Sequence, residues 1–386
     1  MRSLLLATTA AALVFASTAG LQAGKIESYQ PVTDARLKNP EASNWLTWRG
    51  NYEGWGHSPL NQITSDNVKN LVPVWSYSTG VTEGHQAPPM VNNGVMYIST
   101  PQGQVLALDA ATGNEIWRYV HQIPEDLFQL HPTNRGVALY GDKVYVASYE
   151  GGVVALDAKT GAKVWETVIG DYTDGYYSTL SLLAAEGKIV TGVSGGEYGI
   201  RGYVVGLDAE TGAEAWRTYT IPAPGEPGSE TWTGDTWKVG GGSVWMQPNY
   251  DADSQIFYLG TGNGGPWMPD TRPGDNLYTT AVMAIDVNTG AIKGHHQYHW
   301  NDAWDWDEVS APLLMPVERD GQKVNALVHA GRNGYIWTLE RTQEGQINFV
   351  AADKYVRQDA FESIDPETGR PSYNEATTPG TNKTVT

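Results

Sequence analysis

A short motif, Asp-x-x-Thr-Gly followed four residues later by Trp, occurs three times at intervals of about 50 residues. A fourth copy has Gly294 at the position of the Trp, and a fifth, fainter copy surrounds Arg341 and Gly345. The three complete copies and the fourth lie at 109–117, 157–165, 208–216 and 286–294. A period of this length indicates that each repeat is one supersecondary unit of an array or a propeller.

Each complete copy has the composition of a hairpin turn. An apolar, β-rich run precedes the Asp, which can accept bonds from the backbone amides ahead of it, and the Gly supplies a positive φ. Second hairpins are predicted between these turns, at 92–97, 140–145 and 185–190. Two hairpins per repeat make a four-stranded antiparallel blade, so the sequence predicts an all-β propeller of about five blades with almost no long helix. The recurring Trp is expected to pack between blades.

The spacing between copies stretches to about one and a half periods between Asp208 and Asp286. Long insertions on one face of a repeat scaffold usually carry function. The tail, 367–386, has no apolar pattern and ends without completing a repeat. We therefore expect either that the chain is a fragment or that this tail is disordered.

Charge and cysteine content exclude several classes of protein. The 386 residues carry a formal net charge of −18, which argues against nucleic acid or an anionic membrane surface as a partner. A basic soluble protein partner would suit this charge, although solubility alone explains it equally well. The chain has no cysteine, so a thiolate nucleophile, a zinc–thiolate site and an iron–sulfur cluster are excluded.

The amino terminus has the pattern of a secretory leader. Arg2 precedes an apolar run over 4–15 and then small residues. This run is too short to span a bilayer, and it predicts a signal peptide over 1–23 that is cleaved on export to the periplasm. The remainder, 24–386, is expected to form the propeller domain, and no other stretch is apolar enough to cross a membrane.

Asp305 and Asp307, in the acidic and Trp-rich segment 301–308, form the densest group of chemically useful side chains. On a strand, alternate side chains point to the same face about 7 Å apart, so both carboxylates would reach one hard cation. The alternative is a solvated acidic turn. The flanking Trp residues favour a site.

Two other patterns invite a ligand and have simpler explanations. Residues 260–265 match G-x-G-x-x-G, but Pro266 follows where a dinucleotide site needs a helix to begin. These glycines more simply allow close backbone approach or let Asn263 point inward. His295, His296 and His299 suggest zinc, but strand alternation would place His296 and His299 on opposite faces, which favours a packed or exposed cluster.

Three further side chains suit a planar, anionic ligand. Trp245 follows three glycines and could present its indole face, although packing between blades is the simpler explanation. Arg135 and Arg332 lie next to glycines and could bind carboxylates by their two-pronged guanidinium groups. The simpler explanation for each is an ordinary surface arginine.

Together these motifs resemble the pyrroloquinoline quinone (PQQ)-dependent alcohol dehydrogenases, the quinoprotein family that includes methanol and ethanol dehydrogenases. The resemblance runs from Trp48 to the end of the chain. It rests on the Asp-x-x-Thr-Gly-x-x-x-Trp repeat, Ser-Gly-Gly-Glu, Gly-Gly-Gly-x-x-Trp, Gly-x-Gly-Asn, Trp-Asp-x-Asp and Gly-Arg-Asn-Gly, which occur in the family's order. It implies an eight-bladed propeller with the quinone on its axis, so a chain of about five blades is expected to be truncated at its carboxyl end.

The resemblance also implies a role for each site residue. Trp245 would be the surface on which PQQ stacks, Asp305 the base that accepts the alcohol proton, and Arg332 would polarise a quinone oxygen. The metal ion, Ca²⁺ or a lanthanide, would be bound by Glu197, Asn263, Asp305 and Asp307. The remaining contacts with the cofactor would come from Gln86, Arg135, Thr179, Ser194, Gly195, Gly196 and Ser243.

The chain departs from the family pattern at three places, and the first two indicate a branch outside the methanol enzymes, such as one acting on sugars, polyols or aldehydes. Gln129 and Leu130 occupy the positions of two adjacent cysteines beside the cofactor. Gln86 replaces a Glu that contacts the cofactor. Asp307 is an additional carboxylate that resembles the mark of lanthanide-using members, and an added negative ligand suits a trivalent ion.

Electrons would leave to a separate carrier, since the chain has no Cys-x-x-Cys-His haem site. The resemblance implies a soluble cytochrome c as that partner and a small-molecule alcohol as substrate, and it leaves the oligomeric state open. The competing hypothesis is a non-catalytic periplasmic propeller scaffold of the outer-membrane assembly type. Such a scaffold needs the repeat but has no use for Glu197, Asn263 and Asp305 together.

Overall fold

The structure, a computed structural model, describes residues 26–319 and 321–380. Within these residues the strands form five four-stranded antiparallel sheets and one two-stranded sheet. The predicted all-β propeller is therefore confirmed. One short α-helix, α1 (Asp34–Lys38), precedes the blades, so the expected scarcity of helix holds for the described chain. No helix in this part of the chain is both long and apolar enough to cross a membrane.

The strands of each blade pair in chain order. Blade 1 contains β1 (Met90–Asn92), β2 (Val95–Thr100), β3 (Gln104–Asp109) and β4 (Glu115–Val120). Blade 2 contains β5 (Val137–Tyr140), β6 (Lys143–Ser148), β7 (Gly152–Asp157) and β8 (Lys163–Val168). Blade 3 contains β9 (Leu183–Ala185), β10 (Lys188–Gly192), β11 (Tyr203–Asp208) and β12 (Glu214–Tyr219). Blade 4 contains β13 (Asn249–Asp251), β14 (Ile256–Gly260), β15 (Ala281–Asp286) and β16 (Ile292–Gln297).

Blade 5 contains β17 (Leu313–Arg319), β18 (Gln322–Ala330), β19 (Tyr335–Arg341) and β20 (Ile347–Lys354). The two-stranded sheet consists of β21 (Phe361–Ile364) and β22 (Pro371–Tyr373). Short 3₁₀ turns occupy Val68–Asn70, Pro101–Gly103, Tyr172–Asp174, Gly196–Tyr198, Ser229–Thr231, Thr236–Val239 and Pro269–Thr271. Three of these turns lie in the stretched interval between Asp208 and Asp286: two between blades 3 and 4, and Pro269–Thr271 between β14 and β15 of blade 4. The extra residues of this interval therefore form two loops rather than further strands.

The repeated motif joins each blade to the next. Asp109 Oδ1 accepts bonds from the Thr112 amide and hydroxyl, both at 2.8 Å, and so closes the turn. Trp117 then donates its indole N–H to the Ala158 carbonyl of blade 2 at 3.0 Å. A Cβ added at Gly161 would lie 2.6 Å from this Trp ring, so the turn glycine is required by the stacking as well as by its φ of 71°. The predicted packing of the Trp residues between blades is confirmed.

Gly294 departs from the motif for a visible reason. A Cβ at this position would collide with the carbonyl oxygen of Gly345, because the turn of blade 5 packs its backbone directly on blade 4. Blade 5 in turn presents Phe349 to the glycine of the following turn, Gly369. The residue four positions after the turn glycine therefore contacts the next blade in each case. Its size depends on how closely the turn of that next blade approaches it.

Of the two alternatives for the tail, disorder does not hold for its described residues, 367–380, which include the strand β22. Asp365 accepts bonds from the Thr368 amide and hydroxyl, both at 2.8 Å, and so builds the same turn as the clear repeats. This hairpin joins β21 to β22. A sixth copy of the turn was missed because Arg370 and Pro371 follow it instead of an apolar strand. Residues 381–386, and the predicted signal peptide over 1–23, lie outside the described residues.

A buried ion pair joins blade 1 to blade 2 and makes stability depend on pH. His121 Nε2 lies 2.5 Å from Glu150 Oε1, and both side chains are largely buried. The hydrogen bond to Glu150 raises the pKa of His121. Burial alone would raise the pKa of Glu150, but the bond from His121 outweighs burial and lowers it. The pair therefore stabilises the fold most between the unfolded Glu pKa, about 4.3, and the unfolded His pKa, about 6.5, and the contribution of His121 is lost as pH rises through its raised folded-state pKa.

We predict that His121→Gln lowers the free energy of unfolding by about 1.5 kcal/mol more at pH 6 than at pH 9, because the charge on His121 is lost as pH rises through its folded-state pKa. Urea unfolding at both pH values measures this difference. The exposed His57, changed to Gln, is the control and should show no such dependence. An equal loss at pH 6 and pH 9 for His121→Gln would contradict the assignment.

Candidate active site

Equivalent strands of blades 3, 4 and 5 deliver polar side chains to one face of the propeller. β10, β14 and β18 are the second strands of their blades, so their carboxyl ends lie on the same face. Glu197 follows β10, Asn263 follows β14 and Arg332 follows β18. The loop 298–312, between blades 4 and 5, brings Asp305 and Asp307 to the same place. The fold thus gathers groups that are far apart in the sequence.

A cavity of about 680 Å³ lies at this face, within the range of pockets for drug-sized ligands. The predicted residues that line it are Gln86, Arg135, Ser194, Gly195, Glu197, Ser243, Trp245, Asp305, Asp307 and Arg332. The other three adjoin it. Thr179 bonds to Ser194 at 3.0 Å, Gly196 would place a Cβ 3.2 Å from Ser243 Oγ, and Asn263 bonds to Asp305. All the residues predicted from the sequence therefore meet around one cavity.

The half-buried Trp245 lies under the guanidinium group of Arg135, whose carbon is 4.6 Å from the ring centroid. Arg135 also donates to Thr179 Oγ1 at 2.5 Å. Burial lowers the pKa of Arg135 to about 10. Among the described residues no carboxylate lies within ion-pair distance of it. A desolvated cation next to an aromatic surface suits a planar ligand that carries carboxylates.

The carboxylates of Glu197, Asp305 and Asp307 and the amide of Asn263 form an oxygen-rich group at the same cavity. Asn263 Nδ2 donates to Asp305 Oδ1 at 2.8 Å, and the Asn263 amide N–H donates to Asp307 Oδ1 at 2.9 Å. Burial raises the pKa of Asp307 to about 7. Burial, with the negative charges of Asp302 and Glu197, also raises the pKa of Asp305. Crowded carboxylates of this kind are stabilised by a bound cation, and oxygen donors suit Ca²⁺ or another hard ion.

The glycines of 260–265 permit this approach. A Cβ at Gly262 would lie 2.7 Å from Asp307 Oδ1, and one at Gly264 would lie 2.6 Å from the Arg272 guanidinium carbon. The segment continues through Pro266 into the 3₁₀ turn Pro269–Thr271, so no helix begins where a dinucleotide would need one. The geometry therefore supports the explanation that these glycines allow side chains of the site to approach the backbone closely.

The loop 301–308 is not the predicted strand. Its residues have no ladder partner, and Asp305 has a left-handed backbone with φ of 61°. Both Asp305 and Asp307 nevertheless line the cavity, but through loop geometry rather than strand alternation. The alternative of a freely solvated turn also fails for Asp307, whose side chain is only 13% exposed.

Arg332 enters the cavity from the turn between β18 and β19. Its Nη1 lies 3.9 Å from Asp307 Oδ2. The turn is held by Glu308, whose carboxylate accepts bonds from the Arg332 amide at 3.3 Å, from Asn333 Nδ2 at 3.0 Å and from His329 Nε2 at 2.6 Å. Glu308 is buried beneath the site, so it fixes the backbone that carries Arg332.

The three histidines singled out for zinc have separate partners. His296 stacks on Phe349 with ring centroids 5.9 Å apart. His299 lies beyond the end of β16 and bonds through Nε2 to Asp302 Oδ1 at 3.0 Å. Tyr278 packs edge-on against His295 at 4.7 Å. This geometry supports the packed-histidine alternative.

Sequence reasoning missed several residues at the site. Glu83, Gly84, Pro132, Thr133, Tyr177 and Trp267 also line the cavity. They lie in irregular segments outside the repeat and carry no motif of their own. The first four of these residues lie within three positions of Gln86 or Arg135 in the sequence, and this closeness was the available signal for them. Nothing in the sequence indicated Tyr177, and Trp267 had a signal only in its position directly after the glycine-rich segment.

A β-propeller with a cavity that combines an aromatic surface, a buried arginine and grouped carboxylates defines the class of protein. Residues 45–362 match the PQQ family described as glucose/ethanol/alcohol dehydrogenase, beta-propeller domain. The chain therefore belongs to this family of PQQ-dependent dehydrogenases.

Individual relatives agree with this assignment. The chain is 34% identical to quinoprotein alcohol dehydrogenase PedH of Pseudomonas putida, over 89% of this chain and 61% of the relative. It is 33% identical to methanol dehydrogenase [cytochrome c] subunit 1 of Methylobacterium organophilum, over 85% and 57% of the two chains. A solved europium-containing methanol dehydrogenase superposes with a TM-score of 0.85 at 31% identity, over 91% of this chain and 64% of that one. The chain thus spans about 60% of the length of these relatives.

Proposed function

We propose that the chain contributes the active site of a PQQ-dependent dehydrogenase that oxidises an alcohol in the periplasm. The observation that carries this proposal is the convergence of Glu197, Asn263, Asp305 and Asp307 at a cavity that is also lined by Trp245 and the buried guanidinium of Arg135. The chemical types of these side chains suit a metal ion and the cofactor PQQ. Oxygen donors suit a hard cation, and a desolvated guanidinium suits a carboxylated, planar cofactor.

Each group would have a distinct part in binding. Glu197, Asn263, Asp305 and Asp307 would hold a metal ion, Ca²⁺ or a lanthanide. Trp245 would support the ring system of PQQ, and the side chains that would contact its polar edge are Gln86, Arg135, Thr179, Ser194 and Ser243, with the backbone of Gly195 and Gly196. When bound, PQQ would supply a carbon that accepts hydride, made more electrophilic by the metal ion.

Asp305 would perform the proton chemistry. Its carboxylate is exposed to the cavity and accepts one bond from Asn263, which leaves an oxygen for the substrate hydroxyl. An ionised carboxylate placed in this way would accept the hydroxyl proton as a general base. Arg332, whose backbone is fixed by Glu308, would stabilise negative charge that develops on an oxygen of the acceptor.

The partners follow from the same proposal. The substrate would be a primary alcohol, a polyol, a sugar or an aldehyde hydrate, and a soluble cytochrome c would take the electrons. Leu130 lies where the methanol and ethanol enzymes are expected to have a cysteine, so the cavity has an aliphatic wall there. The non-catalytic scaffold is the less favoured alternative, because a scaffold gains nothing from an exposed base beside two further carboxylates.

Dye reduction with a panel of alcohols tests the proposal. The protein is reconstituted with PQQ and either Ca²⁺ or La³⁺, and ethanol, glycerol, glucose and acetaldehyde are supplied in turn. The proposal predicts turnover with at least one substrate that depends on both PQQ and metal. Binding of neither PQQ nor metal, together with no turnover, would favour the scaffold.

Asp307 is expected to decide which ion is preferred. Asp307→Ala should weaken La³⁺ binding by about 100-fold and Ca²⁺ binding by less than about 10-fold, because the loss of one negative ligand costs more at a trivalent ion. Isothermal titration with each ion measures both values. Asp275→Ala, which removes a carboxylate paired with Arg370 outside the cavity, is the control. Equal losses for the two ions would contradict a lanthanide preference.

A further inference from the structure

The loop that carries Asp305 adopts a backbone that ordinary residues avoid. Asn301 has φ of 45° and Asp305 has φ of 61°, both in the left-handed region. An Asp in this region is unfavourable unless neighbouring groups stabilise it. Neither residue lies in a strand or a helix that would fix its dihedral angles. The stabilisation must therefore come from contacts within or beneath the loop.

Asn301 is held by bonds from its side chain to the Arg272 carbonyl at 2.9 Å and to Asn276 Oδ1 at 3.0 Å, whereas a single buried carboxylate supplies the contacts of Asp305. Asp302 Oδ2 accepts the Asp305 amide N–H at 2.9 Å and the Trp306 amide N–H at 3.3 Å. Asp302 Oδ1 accepts the Trp304 amide N–H at 3.4 Å and His299 Nε2 at 3.0 Å. Asp302 is 1% exposed, so these bonds are not weakened by competition with water.

The backbone of Asp302 is itself held in place by Arg272. The Arg272 guanidinium donates to the Asp302 carbonyl oxygen and, through Nε, to the Pro266 carbonyl at 2.7 Å. Arg272 is fully buried, so it ties the loop to the segment that carries Asn263. The rings of Trp304 and Trp306 stack with centroids 4.6 Å apart and restrain the loop between them. Asp302 thus connects the backbone of Asp305 to a buried part of the structure that Arg272 holds in place.

We propose that Asp302 is a positioning residue, which holds Asp305 in its left-handed conformation so that the Asp305 carboxylate meets Asn263 and the bound metal ion. Asp302 itself lines no part of the cavity. It acts through three backbone N–H groups rather than through contact with a ligand. This inference rests on the proposed function, because it assigns Asp302 a purpose in metal binding and proton transfer by Asp305.

Terbium luminescence, sensitised by the tryptophans of the site, tests positioning without requiring turnover. Asp302→Ala should weaken Tb³⁺ binding by about 10-fold to 100-fold, as is typical when a group that supports a metal ligand is removed. Asp302→Asn keeps one acceptor oxygen but turns an N–H₂ group toward the backbone amides, so its loss should be smaller. Both variants should also lower kcat for alcohol more than they raise KM.

The matched control is Asp157→Asn. Asp157 makes the same kind of turn, accepting the Thr160 amide at 2.8 Å and its hydroxyl at 2.7 Å, but it lies in the outer turn of blade 2. This variant should lose thermal stability while Tb³⁺ affinity stays within about 2-fold of the unmodified protein. The contrast separates positioning from a general loss of stability. If Asp302→Ala does not fold, as judged by circular dichroism, the Asp302→Asn titration decides.

The outcomes distinguish the two proposals. Unmodified protein that binds Tb³⁺ while either folded Asp302 variant binds it equally well would overturn the positioning role and leave the proposed function intact. Unmodified protein that binds no Tb³⁺ would overturn the proposed metal site and the role of Asp302 with it. Weakened binding in the Asp302 variants but not in Asp157→Asn supports the role.

Discussion

Asp305→Asn is expected to lower kcat for alcohol oxidation by about 10³-fold to 10⁴-fold, at the upper end of what a single general base contributes. The amide has nearly the same volume and can still meet Asn263, but it cannot accept the hydroxyl proton. The loss should appear mainly in kcat, because the cavity walls that would contact substrate and cofactor are unchanged. Steady-state dye reduction with PQQ and metal measures the effect.

Two controls make the Asp305 result interpretable. PQQ binding, followed by quenching of tryptophan fluorescence, should stay within about 10-fold of the unmodified protein, since Trp245 and Arg135 are intact. Asp275→Asn changes a carboxylate outside the cavity and should leave kcat unaltered. An Asp305→Asn protein that binds PQQ and metal and retains more than a tenth of the activity would require another base.

Trp117→Ala is expected to lower the free energy of unfolding by about 3–5 kcal/mol, the usual range for removing a large buried aromatic side chain. Trp117 is 6% exposed, stacks on Gly161 and donates its indole N–H to Ala158 in the next blade. Its removal therefore leaves a cavity between blades and one fewer hydrogen bond to the Ala158 carbonyl, which keeps its bond from the Tyr97 hydroxyl. Equilibrium unfolding in urea, monitored by circular dichroism, gives the change.

Trp267→Ala is the matched control for this substitution. Trp267 is 52% exposed and borders the cavity instead of joining two blades. Its replacement should change the free energy of unfolding by less than about 1 kcal/mol. A Trp117→Ala protein as stable as Trp267→Ala would show that contacts between blades do not depend on the Trp of the repeat.

The period of the repeat predicted the blades because every copy performs the same physical task. Trp117 and its equivalents must pack on the glycine of the next turn, which fixes both residue types and their spacing. Blades can also be joined without a complete copy of the motif, and the sequence pattern did not predict these cases. Trp75 donates to Ala110 at 3.2 Å and packs on Gly113, yet no complete copy of the motif surrounds it. Asp365 builds the turn without a Trp after it.

The residues of the site could be predicted from motifs, but their geometry could not. The prediction that Asp305 and Asp307 share one site agrees with the structure, but its reason, strand alternation, is wrong. The two residues lie on a loop whose backbone is held by Asp302 and Arg272. A sequence pattern does not reveal that one buried carboxylate accepts three backbone amides. Nor does it reveal the contact of Arg135 with Trp245, 110 residues further along the chain, because Arg135 precedes blade 2 and Trp245 precedes blade 4, so they meet only when the blades are packed.

The central claim is that alcohol passes hydride to PQQ held in this cavity, and single-turnover spectroscopy tests it most directly. The protein is loaded with PQQ and Ca²⁺ or La³⁺, excess cofactor is removed, and alcohol is added without oxygen or dye. The account predicts that the absorbance of bound PQQ changes to that of its reduced form as one equivalent of carbonyl product appears, and that Asp305→Asn slows both changes together. Bound PQQ whose spectrum stays unchanged with every alcohol and either ion would contradict it.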